Sequence, residues 1–250
     1  MFHKNWYGFF TFKLEDHRKI TSILEDKINQ IRIKPSNKDH TNINWDRSIN
    51  VTKIISRELE KQIFGNKGVF SAISNYFFTN KLAISTVNLI YSTNNDLQYK
   101  LYLGDLKEEN DCISYHIDPK NDVLKAIIYL SDVCINDGPF SIIPNSHLYK
   151  FDRKTELFGR ALATGTYCNS PESRRSVFRL PSRLRKSYSF GRLITNDSDC
   201  DKLIKSKEKR IIGDVGTSTF FIPGSCIHRG GICKQNGSRL ALQLQVKIRW

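Results

Sequence analysis

The sequence predicts one domain, residues 1–250, with a mainly β core preceded by helices. Its 250 residues are enough for a single large domain with a sizeable core. From about residue 81, short runs rich in β-branched and aromatic residues are separated by Gly, Asn, Asp and Pro, which is typical of strands joined by turns. We therefore expect a helical part over about 1–80 and a basic insertion over about 150–209.

Two helices are predicted in the N-terminal part. The first covers HRKITSILEDKINQIRI, with an apolar stripe of Ile20, Ile23, Leu24, Ile28 and Ile31. The second covers NVTKIISRELEKQIF, with a stripe of Ile54, Ile55, Leu59 and Ile63. Asn50 or Thr52 is suited to cap the second helix, and Gly65 is expected to end it.

The β core is predicted from seven short runs. They read AISTVNLIY, QYKLYL, CISYHI, LKAIIYL, FSIIP, STFFI and RLALQLQVKI. Between the fifth and sixth runs lies the basic insertion, which contains ESRRSVFRLPSRLRKSYSFGR and has no acidic residue from Ser173 to Asn196.

The charge balance favours anionic partners. Lysine and arginine number 39 against 25 acidic residues, a formal net charge of +14, which attracts nucleic acid, acidic lipid or small phosphorylated and carboxylated molecules. The six cysteines show no C-x-x-C spacing, and the sequence shows neither a signal peptide nor an apolar run of membrane-spanning length. We expect a soluble cytoplasmic protein.

A histidine and an aspartate stand two residues apart in the run YHIDP. Side chains alternate along a strand, so His116 and Asp118 project to one side and Ile117 to the other. Such a pair can hold a metal ion. The alternative is a strand end at which Asp118, before Pro119, accepts local backbone hydrogen bonds in a turn.

A third metal ligand is expected from another strand, and FFIPGSCIHRGG supplies His228. The alternative is a surface histidine before a Gly-Gly turn. Asn236-Gly237 between two β-like runs predicts a two-residue hairpin, in which His228 opposes Gln245 and shares a face with Arg239. Gln243 joins that face. The opposite face is then an apolar stripe of Leu240, Leu242, Leu244, Val246 and Ile248.

This set of side chains suits an iron site. Two histidines and one carboxylate on one face of a metal leave three positions open, as in non-haem Fe(II) oxygenases. An arginine on the same side suggests a carboxylate ligand, because its planar fork binds carboxylate in a bidentate way. Together they suit a 2-oxo acid with a distal carboxylate.

The combination resembles the phytanoyl-CoA dioxygenase family of Fe(II)/2-oxoglutarate oxygenases. The resemblance covers about residues 81–148 and 210–248. It is carried by His116-x-Asp118, the strand YLSDV, Asp137-Gly138-Pro139-Phe140, Pro144-x-Ser146-His147, Gly213-Asp214, His228, and Arg239 eleven residues later.

The resemblance implies a double-stranded β-helix, the jelly-roll or cupin-like barrel. In it, His116, Asp118 and His228 ligate Fe(II), and Arg239 binds the distal carboxylate of 2-oxoglutarate. The implied enzyme is a dioxygenase that uses O2 and 2-oxoglutarate to hydroxylate or otherwise oxidise a small organic substrate, with release of succinate and CO2.

Differences from the family pattern, and comparison with related enzyme classes, narrow the implied activity. The family usually has Gly at Asn145 and a hydroxyl residue at Gly230. Halogenating relatives lack the carboxylate ligand, whereas Asp118 is present. AlkB-type demethylases carry a second arginine where this chain has Gln245, and prolyl hydroxylases typically have lysine in place of Arg239. Oxidation of a small molecule is favoured.

The basic segment from Glu172 to Arg192 is predicted to be either a solvated loop or a lid over the barrel mouth. As a lid, it would recruit an anionic substrate through Arg179, Arg183 and Arg185. A second hypothesis is a basic protein that binds nucleic acid or another polyanion on a jelly-roll scaffold, without a membrane partner.

Overall fold

The computed structural model describes residues 8–33, 47–93, 123–146, 206–224, 226–231, 233–234 and 236–249. The helices in these ranges are α1 (His17–Ile23), α2 (Glu25–Ile33), α3 (Thr52–Gly65) and α4 (Lys67–Phe77). The strands are β1 (Phe9–Lys13), β2 (Arg47–Asn50), β3 (Leu82–Thr93), β4 (Leu124–Tyr129), β5 (Ser141–Ile142), β6 (Lys209–Arg210), β7 (Thr217–Phe221), β8 (His228–Arg229) and β9 (Ser238–Ile248). The predicted mainly β fold with flanking helices is confirmed, but β1 and β2, which belong to the sheets, lie within the N-terminal part that was predicted to be helical.

The strands form two antiparallel sheets. The large sheet has the order β1-β7-β4-β9-β3-β2, and the small sheet has the order β6-β5-β8. The chain passes from the large sheet to the small one after β4, and again after β7. Strands that follow one another in sequence therefore often lie in different sheets, on opposite sides of the interior between the sheets.

One face of the large sheet is covered by helices. On β9 the predicted apolar stripe is confirmed, because Leu240, Leu242, Leu244 and Val246 are all buried, while Ile248 is partly exposed. Side chains of α1 and α2 border a cavity of about 470 Å³ together with Leu240, which places these helices on the stripe's side. The side chains of β9 that alternate with this apolar stripe therefore point to the opposite face, towards the small sheet.

The helices differ from the prediction in three details. The first predicted helix is divided at Leu24, and Ile23 lies beside the buried stripe and is 40% exposed. In α3, Ile54 is 46% exposed because it lies beside the buried stripe. The helix α4, capped by the side chain of Asn66, was not predicted. No helix in the described ranges is long and apolar enough to cross a membrane.

The end predicted for α3 agrees with the structure, but the predicted cap does not, because the N-cap residue is Val51, which makes no side-chain capping hydrogen bond. Asn50 Oδ1 accepts a hydrogen bond from the amide of Thr52, the first residue of the helix. The Thr52 hydroxyl instead joins α3 to β3, because it accepts from the amide of Val87 at 2.8 Å. The helix ends at Gly65, as predicted.

Tyr129 connects the large sheet to the small-sheet side of the interior. Its ring is 1% exposed. Its hydroxyl donates to the carbonyl of Ile211 at 2.8 Å and accepts from the amide of Phe140 at 2.9 Å. Burial raises the pKa of this phenol, while the charge of Arg239 and the Phe140 hydrogen bond lower it less. The phenol therefore remains protonated and keeps its donor.

Replacing Tyr129 with phenylalanine is expected to lower the free energy of unfolding by roughly 2–4 kcal/mol, because two buried backbone groups lose their partner. Urea denaturation of both proteins measures the difference. Tyr91→Phe is the matched control: Tyr91 is half-buried, and its ring would keep its stacking with the guanidinium of Arg47. A loss no larger than the control's would contradict the structural role of the hydroxyl.

Candidate active site

His228 lies on β8 and is only 4% exposed. Its Nδ1 atom is 2.8 Å from the carbonyl oxygen of Cys226. A carbonyl oxygen can only accept a hydrogen bond, so Nδ1 carries the proton in this contact. Nε2 is then the nitrogen that can coordinate a metal, and the carbonyl fixes the ring orientation as it does for many metal-bound histidines.

The segment around Ser146 holds β8 in place. The Ser146 hydroxyl accepts from the amide of Ile227 at 2.8 Å and donates to the carbonyl of Ile143 at 2.7 Å. Ile143 in turn donates its amide to the Ile227 carbonyl. These bonds fix the backbone immediately before His228, which gives the serine of the Pro144-x-Ser146 motif a positioning role.

Asn145 occupies a position where the resembled family usually has glycine. Its φ is 62°, in the left-handed region that glycine adopts most easily. Asparagine is among the few other residues that visit this region routinely. This departure from the family pattern is therefore accommodated by the backbone.

Two phenylalanines surround the imidazole of His228. The ring centroid of Phe221 is 4.6 Å from that of His228, and the centroid of Phe140 is 6.0 Å away. Both phenylalanines are buried and also contact each other. Because Phe221 belongs to the large sheet and His228 to the small sheet, the imidazole projects into the interior between them.

Arg239 lies in the same interior. It is 5% exposed, and its Nη2 atom donates to the hydroxyl of Ser92, its register partner on β3, at 3.0 Å. A Cβ atom on Gly230 would lie 3.6 Å from that same Nη2. Since Gly230 is two residues after His228, the guanidinium lies close to the strand that carries the imidazole.

The carboxylate of Asp137 fixes the start of β9, the strand that carries this arginine. Burial is the largest influence on the Asp137 carboxyl and would raise its pKa. Hydrogen bonds from the thiol and amide of Cys134 and from the amide of Ser238, together with the charge of Arg239, outweigh burial and hold the pKa below its usual value. Asp137 is thus an anion that fixes the first residue of the strand bearing Arg239.

The hairpin predicted from Asn236-Gly237 is wrong in its pairing. The turn exists, because the amide of Gly237 donates to the carbonyl of Lys234 at 2.9 Å. However, β8 pairs with β5 of the small sheet, and β9 pairs with β3 and β4 of the large sheet. His228 therefore opposes Ile142 and not Gln245. The physical reason is that the chain crosses between the sheets at this turn.

Several predicted site residues lie outside the described ranges. They are His116, Asp118, Arg179, Arg183 and Arg185. Among the residues that are described, no three His, Cys, Asp or Glu side chains come together as a metal site. Of the predicted site, the structure therefore describes His228 and Arg239, and the role of His228 as a metal ligand stays a prediction.

Lys125 is an interior residue that sequence reasoning missed. It is 8% exposed and lies on β4, whose neighbouring residues Leu124 and Ala126 are fully buried. The signal was a single charged residue in the otherwise apolar run LKAIIYL. A charge that alternates with buried apolar residues indicates a strand whose second face is polar.

Comparison with known proteins supports the fold. No protein-family profile matches the sequence, and no curated protein sequence matches it. Solved structures do match over almost the whole chain. The epimerase SnoN, in complex with Fe3+, alpha ketoglutarate and nogalamycin RO, superposes with a TM-score of 0.54 at 12% identity, over 99% of this chain and 80% of SnoN.

Two further structures give similar agreement. The non-heme alpha ketoglutarate dependent carbocyclase SnoK from nogalamycin biosynthesis has a TM-score of 0.50 at 12% identity, over 97% of this chain and 80% of SnoK. EctD from S. alaskensis, with 2-oxoglutarate and 5-hydroxyectoine, has a TM-score of 0.50 at 10% identity, over 96% of this chain and 72% of EctD. This chain therefore has the double-stranded β-helix fold.

Proposed function

We propose that this chain is an Fe(II)- and 2-oxoglutarate-dependent dioxygenase related to the phytanoyl-CoA dioxygenase family. His116, Asp118 and His228 would hold the iron, and Arg239 would bind the distal carboxylate of 2-oxoglutarate. The substrate would be a small organic molecule, oxidised with release of succinate and CO2. This function suits a protein that shares its fold with SnoN, SnoK and EctD.

The observation that carries the proposal is that His228 and Arg239 lie in the same interior. The tautomer of His228 directs Nε2 away from the Cys226 carbonyl, and the Arg239 guanidinium lies near Gly230, two residues further along the chain. A metal-binding imidazole and a buried carboxylate-binding arginine in one interior are the two ends of a site for a metal-chelating 2-oxo acid.

When bound, iron supplies the reaction with O2, which no side chain can perform. The chain's own residues bind, orient and shield. His228 is fixed through Cys226 and Ser146, Phe140 and Phe221 keep water from the imidazole, and Arg239 orients the co-substrate. Holding the reacting groups in position before the reaction lowers the entropic part of the activation barrier.

The test is reconstitution of the full chain with Fe(II) and 2-oxoglutarate under air. We expect metal-dependent binding of 2-oxoglutarate, measured anaerobically by calorimetry, and slow metal-dependent succinate release even without substrate. A metabolite screen that follows succinate would then identify the substrate. If the protein binds neither metal nor 2-oxoglutarate, the proposed function is wrong.

Gly230 offers a prediction at the co-substrate end of the site. Because a Cβ there would be in ordinary van der Waals contact with Nη2 of Arg239 at 3.6 Å, Gly230→Ser should fold normally. The new hydroxyl would add a hydrogen-bond donor beside the carboxylate, so we expect a fall in the 2-oxoglutarate Kd of roughly three- to tenfold.

The neighbouring glycine provides the control for this prediction. A Cβ on Gly231 would lie 2.3 Å from the carbonyl oxygen of Pro139, a backbone clash. Gly231→Ala should therefore destabilise the fold, seen as a lower Tm, without any gain in affinity. Weaker 2-oxoglutarate binding in a normally folded Gly230→Ser protein would show that the carboxylate does not lie beside Gly230.

The basic segment gives a prediction about the substrate. If Arg179, Arg183 and Arg185 form a lid, their joint replacement with glutamine should raise the substrate KM, while iron affinity and substrate-free turnover of 2-oxoglutarate stay near the original values. Steady-state kinetics on the substrate found by screening provide the measurement. An unchanged KM would assign the charge to a solvated loop.

A further inference from the structure

Thr219 on β7 carries a buried hydroxyl without a hydrogen bond. The residue is 1% exposed, and no described residue is a hydrogen-bond partner of its Oγ1 atom. Taking a hydroxyl out of water without a partner destabilises a protein, which is why nearly all buried polar groups are paired. Valine has nearly the same shape and would avoid this cost, so packing alone does not account for the threonine.

The hydroxyl belongs to the interior face of the large sheet. Phe221, two residues further along β7, contacts the imidazole of His228 across the interior, and residues two apart on a strand share a face. Phe220, between them, stacks on Phe10 at the opposite face. Thr219 therefore faces the same interior as His228.

Thr219 begins a row of interior residues that crosses four strands. In register order the row contains Thr219, Ile127, Gln243 and Asn88, and we call it the Thr219 row. Ile127, Gln243 and Asn88 are each half-buried. The row therefore presents a hydroxyl on one side of an aliphatic side chain and two carboxamides on the other.

The Thr219 row lies closer along the sheet to the His228 end than to Arg239. Thr219 is two residues from Phe221, about 7 Å along a strand, and the ring of Phe221 contacts the imidazole of His228 at 4.6 Å. Gln243 is four residues from Arg239, about 13 Å along a strand. The row is thus separate from the arginine that we assign to the distal carboxylate of 2-oxoglutarate.

The side chains of the Thr219 row are uncharged, and its polar groups offer both donors and acceptors. A ligand hydroxyl can pair with the threonine hydroxyl or with either end of a carboxamide, whereas a carboxylate can use only the donors. Lys125, in the neighbouring row, already has a partner of its own. The backbones of Thr219 and Gln243 are two strands apart, about 10 Å, which leaves room for a small carbon ring over Ile127.

We infer that the Thr219 row binds the primary substrate through uncharged hydroxyl groups. Thr219 Oγ1 is the specificity-determining partner of one substrate hydroxyl, the carboxamides of Gln243 and Asn88 bind a second, and Ile127 contacts the carbon skeleton. This inference rests on the proposed function, since it takes the His228 end as the reacting end. It assigns the substrate class as hydroxylated carbon rings or chains.

The experiment uses the full chain loaded with 2-oxoglutarate and Zn(II), which has no redox chemistry. The probe is vicinal cyclohexanediol, and its matched controls are cyclohexanol, which has one hydroxyl, and cyclohexanecarboxylate, which is an anion on the same ring. Ligand-observed NMR titration measures the three affinities on the unmodified protein, on Thr219→Val and on Thr219→Ser, which keeps the hydroxyl. The Tm of each protein and its affinity for 2-oxoglutarate are measured as well.

Thr11→Val is the control for the loss of a threonine hydroxyl. Thr11 is the register partner of Thr219 on β1 but is exposed, so the same chemical change there should alter neither the probe affinities nor the Tm.

The unmodified protein should bind the diol at least about threefold more tightly than cyclohexanol or cyclohexanecarboxylate, as expected for one additional neutral hydrogen bond. Thr219→Val should lose that preference, and Thr219→Ser should retain most of it. The Tm of Thr219→Val should equal or exceed that of the unmodified protein, because the substitution removes a buried group without a partner. The affinity for 2-oxoglutarate should change by less than about twofold.

Four results would overturn the inference. They are no preference for the diol in the unmodified protein, a preference that survives in Thr219→Val, a lower Tm of Thr219→Val, which would give the hydroxyl a structural role, and a parallel loss of 2-oxoglutarate binding, which would assign the hydroxyl to the co-substrate. Failure of the proposed function itself is distinct, because the unmodified protein would then bind neither metal nor 2-oxoglutarate.

Discussion

Replacing His228 with glutamine is expected to abolish succinate release and to weaken metal binding at least about 100-fold, beyond the 10- to 100-fold typical of outer-shell partners. Glutamine has nearly the length of the imidazole and remains polar, so the strand should remain folded, although its amide does not occupy the position of the Nδ1 atom that contacts the Cys226 carbonyl. Asp118→Ala should have the same effect on turnover. Anaerobic calorimetry with Fe(II) measures the affinity, and circular dichroism checks the fold.

His17→Ala serves as the control for the loss of a histidine. His17 lies on α1 beside the cavity on the other side of the large sheet, so its removal should leave metal affinity and succinate release unchanged. Equal metal affinity in His228→Gln and the unmodified protein would exclude His228 as a ligand.

Replacing Arg239 with methionine is expected to raise the Kd for 2-oxoglutarate by roughly 30- to 5,000-fold, because truncating one partner of a buried charge pair costs about 2–5 kcal/mol. Metal affinity should change little, since His228 is held by Cys226 and Ser146. Arg239→Lys should recover only part of the affinity, because a lysine cannot reproduce the planar fork.

The matched control for Arg239 is Arg249→Met. Arg249 carries the same charge but is exposed at the end of the large sheet, where it pairs with Glu60 at 3.3 Å. Its loss removes one unit of positive charge without touching the interior. If both methionine variants weaken 2-oxoglutarate binding equally, the effect of Arg239 is one of general charge and not of a binding site.

The sequence was sufficient where a local pattern determines the structure. The alternation of leucines in β9 identified its buried face, since the period of a strand is two. The spacing of Ile55, Leu59 and Ile63 identified the buried side of α3. Gly65 marked where that helix ends.

The sequence was insufficient where long-range partners decide. Asn236-Gly237 indicated a turn, but a turn signal does not tell which sheet each flanking strand joins, and β8 joined β5 instead of β9. The short-range spacing around Ile23 did not reveal the break at Leu24. Lys125 was counted within an apolar run because its burial depends on Phe221 and Gln245, which come from distant parts of the chain.

Alternate residues of the large sheet serve its two faces, one of which packs against the helices while the other lines the interior. On β9, Leu242 and Leu244 pack under the helices, whereas Gln243 and Gln245, which alternate with them, face the interior and are only half-buried. Exchanging the glutamines changes the polar groups that the interior presents and leaves the packed layer intact. Substitutions at every second position of this one strand can therefore alter the chemistry of the interior while the core sequence stays constant.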